Sequence, residues 1–127
     1  MNANKLTRDL FAGVNEPADR QNLTDLEKKH IPVIDAPASV RRCQRFTATV
    51  EVGKLLPHNN EYGHSIEFIE LYADDLFLAK ADLTAVNTCP KVTFCLSLSG
   101  PVKELRAYGR CNLHGVWVAR SPVAVTD

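Results

Sequence analysis

The sequence lacks the features that mark nucleic-acid-binding and membrane-spanning proteins. Its 127 residues include fifteen basic and fifteen acidic residues, so the formal net charge is zero. Binding to phosphates needs a basic excess or stripe, and we therefore predict no nucleic-acid partner. No apolar run approaches the ~20 residues of a membrane span, and the amino-terminal MNANKLTRDLF lacks the apolar core of a secretory signal. We expect no membrane association and a cytoplasmic location.

Cysteine is also scarce. The four cysteines, Cys43, Cys89, Cys95 and Cys111, are far fewer than in small disulfide-stapled domains, and in a reducing compartment we expect free thiols. Cys43, Cys89 and Cys95 are predicted to be ordinary buried or half-buried thiols. Cys111 differs because it stands three residues before His114, which makes it a candidate metal ligand.

Short segments of alternating polarity dominate the chain from about residue 45. RFTATVEVG, HSIEFIELYAD, LFLAKADL, KVTFCLSLS and VKELRAYGRC follow one another at intervals of about ten residues, with turn compositions between them. About seven short strands at this spacing predict an all-β fold, an immunoglobulin-like antiparallel β-sandwich. The alternation places Phe68, Leu71 and Phe94 in its core.

The amino-terminal segment has a different composition. Residues 1–27 are predicted to form an arm that is either loose or clasped on a partner subunit. Thr24 and Glu27 have the spacing of a capping box, which predicts one short helical turn, and Pro32 should end it. The chain 1–127 as a whole is predicted to be a single domain.

All four histidines, His30, His58, His64 and His114, stand beside turn signals and not within strands. Loops at one end of a sandwich can converge in space, and metal and catalytic groups are often mounted there. Each match alone is weak, because a single loop histidine is usually inert and a Cys-x-x-His pair arises by chance in many chains. Four histidines and Cys111, all at loop positions, together favour a metal site over an incidental set.

The set of candidate ligands favours iron. A structural zinc site is complete with four ligands, and a blue-copper site uses a weak axial group such as methionine, whereas Met1 is the single methionine here. Four imidazoles and one thiolate with one position open suit six-coordinate iron. Trp117 is expected to pack beside this site.

Three segments resemble the superoxide reductase family, the neelaredoxin and desulfoferrodoxin group, over roughly residues 28–119. EKKHIPVI carries a Lys-His-Ile-Pro motif, VEVGKLLPHNNEYGHSIEFIELYADD carries a His-x5-His pair, and RAYGRCNLHGVWVA carries a Cys-Asn-x-His-Gly turn. Residues 1–29 contain no cysteine. We therefore expect no desulforedoxin domain with its own four-cysteine iron site, and the chain resembles the one-iron kind.

The resemblance implies one mononuclear iron per chain, cycling between Fe2+ and Fe3+, with His30, His58, His64 and His114 in a plane and Cys111 axial. It implies that His114 binds through Nδ1 and the other histidines through Nε2, and that the backbone amides of Leu113 and His114 hydrogen-bond the sulfur. The implied reaction is one-electron reduction of superoxide to hydrogen peroxide, with re-reduction by an external donor such as rubredoxin. The alternative function is a non-enzymatic iron-binding electron-transfer module. The family's one-iron members are often homotetramers, so the resemblance also implies a homotetramer.

One catalytic residue is predicted, Lys29, whose cation would attract superoxide and hold water for proton delivery. The family commonly has Glu-Lys-His in this segment, where the glutamate is the sixth ligand of ferric iron. Here the residue two before His30 is Lys28, and Glu27 lies one position further away. We therefore predict that water or hydroxide, or another carboxylate such as Glu61, occupies the sixth position of the ferric iron.

Overall fold

The computed structural model describes residues 9–127, and these residues form an almost entirely β structure. A short helix, α1, spans Asp25–His30. Nine strands follow in the described part of the chain: β1 Pro32–Asp35, β2 Ser39–Arg41, β3 Phe46–Val52, β4 Ile66–Ala73, β5 Leu76–Asp82, β6 Lys91–Leu96, β7 Glu104–Cys111, β8 Gly115–Pro122 and β9 Ala124–Thr126. The all-β prediction is confirmed, with two more strands than the seven expected. β1, β2 and β9 have only three or four residues each, too few to show an alternating pattern.

Two antiparallel sheets form the body of the structure. One has the strand order β1-β3-β6 and the other β5-β4-β7-β8, while β2 and β9 pair in parallel. Their facing sides contribute to a single buried cluster in which Val50, Ile69, Leu71 and Leu105 have no exposed surface. Burial of these aliphatic side chains holds the two layers together. At one end of the layers lie the candidate ligands, in the loops after β3 and β7 and at the last residues of α1 and β7.

A bulge in β4 changes which side chains face the core. Leu71 and Phe94 are buried as predicted, but Phe68 is only half-buried. The pairing of β4 with β7 shifts between Ile66 and Phe68, and such a shift moves the following side chains to the other face. Phe68 lies instead under the ammonium of Lys80, 4.5 Å from the ring centroid, so its assignment to the core was wrong.

The capping box begins α1 as predicted. Thr24 Oγ1 accepts a hydrogen bond from the Glu27 amide at 3.2 Å, and Glu27 Oε1 accepts one from the Thr24 amide at 2.8 Å. The helix ends at His30, and Ile31 is extended with φ −66° and ψ 122°. Because Pro32 follows Ile31, the helical conformation is disfavoured there. The cap and the proline together fix His30 at the end of the helix.

The amino-terminal arm packs on its own chain from residue 9 onward. The Asn15 amide donates to Val116 O at 2.8 Å, and its buried side chain donates to Leu10 O at 2.7 Å and to Val116 O at 2.9 Å. A Cβ on Gly115 would collide with the Leu10 carbonyl, so the arm needs a glycine there to approach β8. The part of the predicted arm before residue 9 lies outside the described residues.

The three cysteines outside the candidate site are exposed, so the prediction of buried or half-buried thiols was wrong. Cys95 points outward from β6, an edge strand, while Cys43 lies in a turn and Cys89 in the loop before β6. All four cysteines, Cys111 included, are free thiols. No helix within residues 9–127 has the length and apolar character that a membrane span requires.

Candidate metal centre

Four imidazole rings form a closed ring of neighbours at one end of the sandwich. The ring centroids of His30 and His58 are 4.7 Å apart, those of His58 and His64 4.8 Å, those of His64 and His114 5.2 Å, and those of His114 and His30 4.9 Å. Adjacent rings are steeply inclined to one another, at 61° to 85°. The four side chains thus surround one common centre although they come from four separate places in the chain.

His30 is held from two sides at the end of α1. Its Nδ1 lies 2.7 Å from Leu26 O in the preceding helical turn, and the ring is 1% exposed. The Trp117 indole, which is fully buried, stacks on it with centroids 5.2 Å apart and an interplanar angle of 26°. Trp117 also donates from Nε1 to His114 O at 2.9 Å. The tryptophan therefore supports two of the four histidines, as predicted from its position beside the site.

The loop between β3 and β4 carries His58 and His64, the predicted His-x5-His pair. His58 Nδ1 lies 2.6 Å from Asn59 O. Gly53 has a φ of +89°, and a Cβ there would lie 2.8 Å from the His58 amide nitrogen, so glycine allows the chain to fold closely under His58. Glu61 and His64 exchange backbone hydrogen bonds of 2.8 Å and 3.1 Å, which closes a tight turn ahead of β4.

The Cys-x-x-His turn follows directly on β7. Cys111 is the last residue of that strand and is fully buried, and its Sγ lies 3.6 Å from His114 Nδ1. Asn112, between them, accepts from the Ser65 amide at 3.0 Å and donates to Gly63 O at 2.9 Å. This side chain therefore joins the Cys111 turn to the end of the histidine loop, a role that its place in the Cys-Asn-x-His motif could have signalled.

The hydrogen bonds of His30 and His58 fix which nitrogen carries the proton. A carbonyl oxygen only accepts, so the proton of each neutral ring is on Nδ1 and each Nε2 is left with a lone pair. These two Nε2 atoms lie 3.1 Å apart. Two lone pairs at that distance repel unless a cation lies between them. Adjacent nitrogen ligands at about 2.1 Å from a metal ion would be about 3.0 Å apart, so the spacing fits a shared metal ion.

Burial favours the neutral form of three imidazoles, those of His30, His58 and His114. Desolvation lowers the pKa of His30 to about 4, although its bond to Leu26 opposes this and the other three histidines add to it. Desolvation also lowers the pKa of His58 and of His114, and in both cases the charges of His64 and Lys29 act in the same direction. Neutral imidazole is the form that binds a metal ion, so these rings are ready to act as ligands at neutral pH.

Burial has the opposite consequence for Cys111, since it raises the pKa of the thiol. The backbone amides of Leu113 and His114 donate hydrogen bonds to the sulfur and lower that pKa, while the charge of Glu67 raises it. The sulfur is thus placed in a site that disfavours an isolated thiolate. A bound cation would reverse this balance, because metal coordination deprotonates a thiol.

One buried nitrogen has no hydrogen-bond partner among the described residues, and it is Nε2 of His64. A buried polar atom without a partner is costly and calls for an explanation. Single ligand atoms of His30, His58, His64 and Cys111 all lie within 4.8 Å of one another, and His114 completes the set through its Nδ1 beside the sulfur. A metal ion at this centre would satisfy the His64 nitrogen, and all five side chains predicted from the sequence lie close together in the structure.

The charged residues considered for the predicted sixth position, Lys29, Glu27 and Glu61, lie in three different environments. Lys29 is half-buried at the end of α1, and its charge acts on both His58 and His114. Glu27 is buried, and its carboxylate accepts from the Thr24 amide at 2.8 Å and the Ala18 amide at 3.1 Å. Glu27 therefore serves the helix start, whereas Glu61 is exposed in the histidine loop.

Comparison with known proteins identifies similar chains. The family model described as Desulfoferrodoxin matches residues 22–120. A protein of Methanocaldococcus jannaschii is 40% identical over 112 residues, 84% of this chain and 90% of that protein. A superoxide reductase of Pyrococcus furiosus is 32% identical over 108 residues, 71% of this chain and 84% of that protein. The solved structure of the superoxide reductase (neelaredoxin) from Ignicoccus hospitalis superimposes with a TM-score of 0.75 at 35% identity, covering 91% of this chain and 95% of that one.

Proposed function

Since this chain belongs to the desulfoferrodoxin family, we propose that it is a superoxide reductase whose single iron ion is held by His30, His58, His64, Cys111 and His114. The family resemblance, the superoxide reductase activity and the iron cofactor predicted from the sequence motifs all agree with the family match and with the relatives. That these five side chains are the individual ligands of the iron is part of our proposal.

One observation carries this proposal: the closed ring of four imidazoles with a buried cysteine sulfur beside it. His64 Nε2 is buried without a partner in the described part of the chain, and Nε2 of His30 and of His58 face each other at 3.1 Å. Nitrogen lone pairs this close together repel one another, whereas a cation between them is attracted by each. An iron ion held by four imidazoles and one thiolate would keep a position open for superoxide, which an electron-transfer site does not need.

Bound there, iron would supply the electron that reduces superoxide to hydrogen peroxide. The protein's own part is to keep His30, His58 and His114 neutral, to present the Cys111 sulfur, and to moderate its donor strength through the amides of Leu113 and His114. Lys29 adds a positive charge beside His58 and His114. We propose that this charge attracts the superoxide anion and holds the water that delivers protons.

Three further proposals concern the surroundings of the enzyme. We propose that rubredoxin or a similar one-electron donor re-reduces the iron. We propose a homotetramer, for which the exposed Leu76 and Phe77, 63% and 50% exposed, offer apolar surface. We also propose a cytoplasmic location, which agrees with four free thiols.

Metal analysis combined with rapid mixing tests the function. The protein is purified from cells supplied with iron, reduced, and mixed with superoxide in a stopped-flow spectrometer. One iron per chain and rapid oxidation by superoxide are expected. Iron that superoxide does not oxidise would indicate an electron-transfer module, and protein without bound iron would overturn the assignment of the site.

A further inference from the structure

The side chain of Asn60 ties the histidine loop, residues 58–64, to a neighbouring turn. We infer that Asn60 is a positioning residue for the iron site, which it serves by holding the loop 58–64 against the turn 84–88 that joins β5 to β6. The inference rests on the proposed iron site, because it concerns how tightly His58 and His64 are held around the metal.

Asn60 makes two hydrogen bonds to the turn, and both go to backbone atoms. Its Oδ1 accepts from the Val86 amide at 2.7 Å, and its Nδ2 donates to Thr88 O at 3.0 Å. The side-chain amide thus uses its acceptor and one of its donors at once. A pair of bonds at two points fixes the orientation of the amide as well as its position.

The turn 84–88, which receives these bonds, is held by internal hydrogen bonds and contains a strained residue. Thr88 Oγ1 donates to Thr84 O at 2.7 Å and accepts from the Thr84 amide at 2.9 Å. Val86 has a φ of +70°, a conformation that is rare for a β-branched residue. Backbone strain of this kind persists only where surrounding contacts impose it, and it is concentrated at functional sites. The bond from Val86 to Asn60 is one of the contacts that impose it.

The middle of the histidine loop has little other support. Its first histidine rests on Gly53, and its last residues are held by Asn112 through Gly63 O. Between these points Asn59 is exposed and Tyr62 is 80% exposed, so neither packs the loop against the sandwich. Without Asn60 the seven-residue loop would be held at its two ends. The part of the loop between His58 and His64 would then no longer be held against the connection between β5 and β6.

Release of iron to a chelator measures this positioning directly. In the ferrous protein mixed with excess EDTA, Asn60→Ala is expected to release iron about tenfold faster than the unaltered protein, the size of effect seen when groups that orient metal ligands are removed. Asn60→Asp keeps the acceptor for Val86 and loses the donor to Thr88, so an intermediate rate is expected. The thiolate-to-iron absorption band of the ferric protein should broaden or shift in Asn60→Ala.

Asn87→Ala is the matched control, because it makes the same chemical change within the same turn. Asn87 Nδ2 donates to Ala85 O at 3.3 Å, a bond inside the turn that does not reach the histidine loop. Its iron release rate and absorption band should equal those of the unaltered protein. Equal acceleration in Asn87→Ala and Asn60→Ala would show that any disturbance of the turn suffices, and would overturn the inference.

Val86→Gly separates positioning of the loop from support of the turn. Asn60→Ala should lower the denaturant midpoint of the metal-free protein, because the strained turn loses its bond from Val86. Glycine adopts a positive φ without strain, so Val86→Gly in the Asn60→Ala background should restore that midpoint. Iron release should remain fast. Restoration of slow iron release as well would overturn the inference. If the unaltered protein bound no iron, the proposed function would fail first; if it bound iron and Asn60→Ala released it at the same rate, this inference alone would fail.

Discussion

His30 Nε2 and His58 Nε2 lie 3.1 Å apart, although 28 positions of sequence separate the two residues. Each ring places its Nδ1 against a backbone carbonyl, Leu26 O for one and Asn59 O for the other. The protein thus orients two lone pairs toward each other and holds them there by its backbone. Two lone pairs held at this distance repel one another unless a cation lies between them, which indicates that the arrangement is suited to a bound cation.

Acid should destabilise the metal-free protein through His30. The pKa of His30 is lowered from 6.5 to about 4 in the folded state, chiefly by burial. Between pH 6.5 and pH 4 the unfolded chain binds a proton at His30 that the folded chain excludes. The contribution of His30 to the free energy of unfolding is therefore fully present above pH 6.5 and is lost as the pH falls toward 4. We expect a loss of about 3 kcal/mol in the free energy of unfolding, measured by urea titrations across that range.

His30→Gln provides the comparison for this experiment. The amide does not titrate, so the metal-free variant should lose less stability than the unaltered protein between pH 6.5 and pH 4. Identical pH profiles for the two proteins would show that His30 does not cause the acid sensitivity.

The sequence predicted the site more completely than the details of the sheets. Turn signals beside His58 and His64 and the spacing of Cys111 and His114 are local features, and they placed His58, His64 and His114 outside regular strands correctly. His30 and Cys111 were also expected on loops, but they are the last residues of α1 and β7. The core position of Phe68 was wrong because a bulge between strands β4 and β7 depends on the pairing of residues far apart in sequence. No local pattern encodes such a shift.

The supports of the site were also largely invisible from the sequence. Leu26 and Asn59 act through backbone carbonyls, which every residue possesses, so their side chains give no signal. Glu27 could be assigned to the capping box from its spacing to Thr24, and the structure shows that this bond uses Oε1 while Oε2 accepts from the Ala18 amide. The same residue could have been mistaken for a metal ligand had its distance from His30 alone been considered.

Cys111→Ser should remove the thiolate from the metal centre. The pKa of a serine hydroxyl is far too high for it to replace a thiolate donor, so we expect loss of the thiolate-to-iron band and a fall in iron affinity of more than about 100-fold, beyond what removal of an orienting group causes. Cys95→Ser makes the same change at an exposed thiol and should keep the iron and its spectrum. Retention of the band in Cys111→Ser would exclude Cys111 as the ligand.

The sixth position of ferric iron should be filled from solvent. Glu27 is committed to two backbone amides, and Lys28 replaces the family glutamate. A bound water changes to hydroxide as the pH rises, since a metal ion lowers its pKa strongly, so the thiolate-to-iron band should shift with pH. Glu61→Gln should show the same shift. A band that stays constant with pH in the unaltered protein and becomes pH-dependent in Glu61→Gln would instead identify Glu61 as the ligand.

Lys29 should govern how fast superoxide reaches the iron. Its positive charge acts on His58 and His114 at the site, and electrostatic attraction of an anion raises association rates by about tenfold or more, with a strong dependence on salt. Lys29→Ala should therefore react with superoxide about tenfold more slowly at low ionic strength, with a flatter salt dependence, and Lys29→Arg should restore much of both. Lys28→Ala removes an equal charge from the preceding position and should change the rate less. If pulse radiolysis gave the two alanine variants the same rate and salt dependence, Lys29 would contribute only to the general charge of the surface.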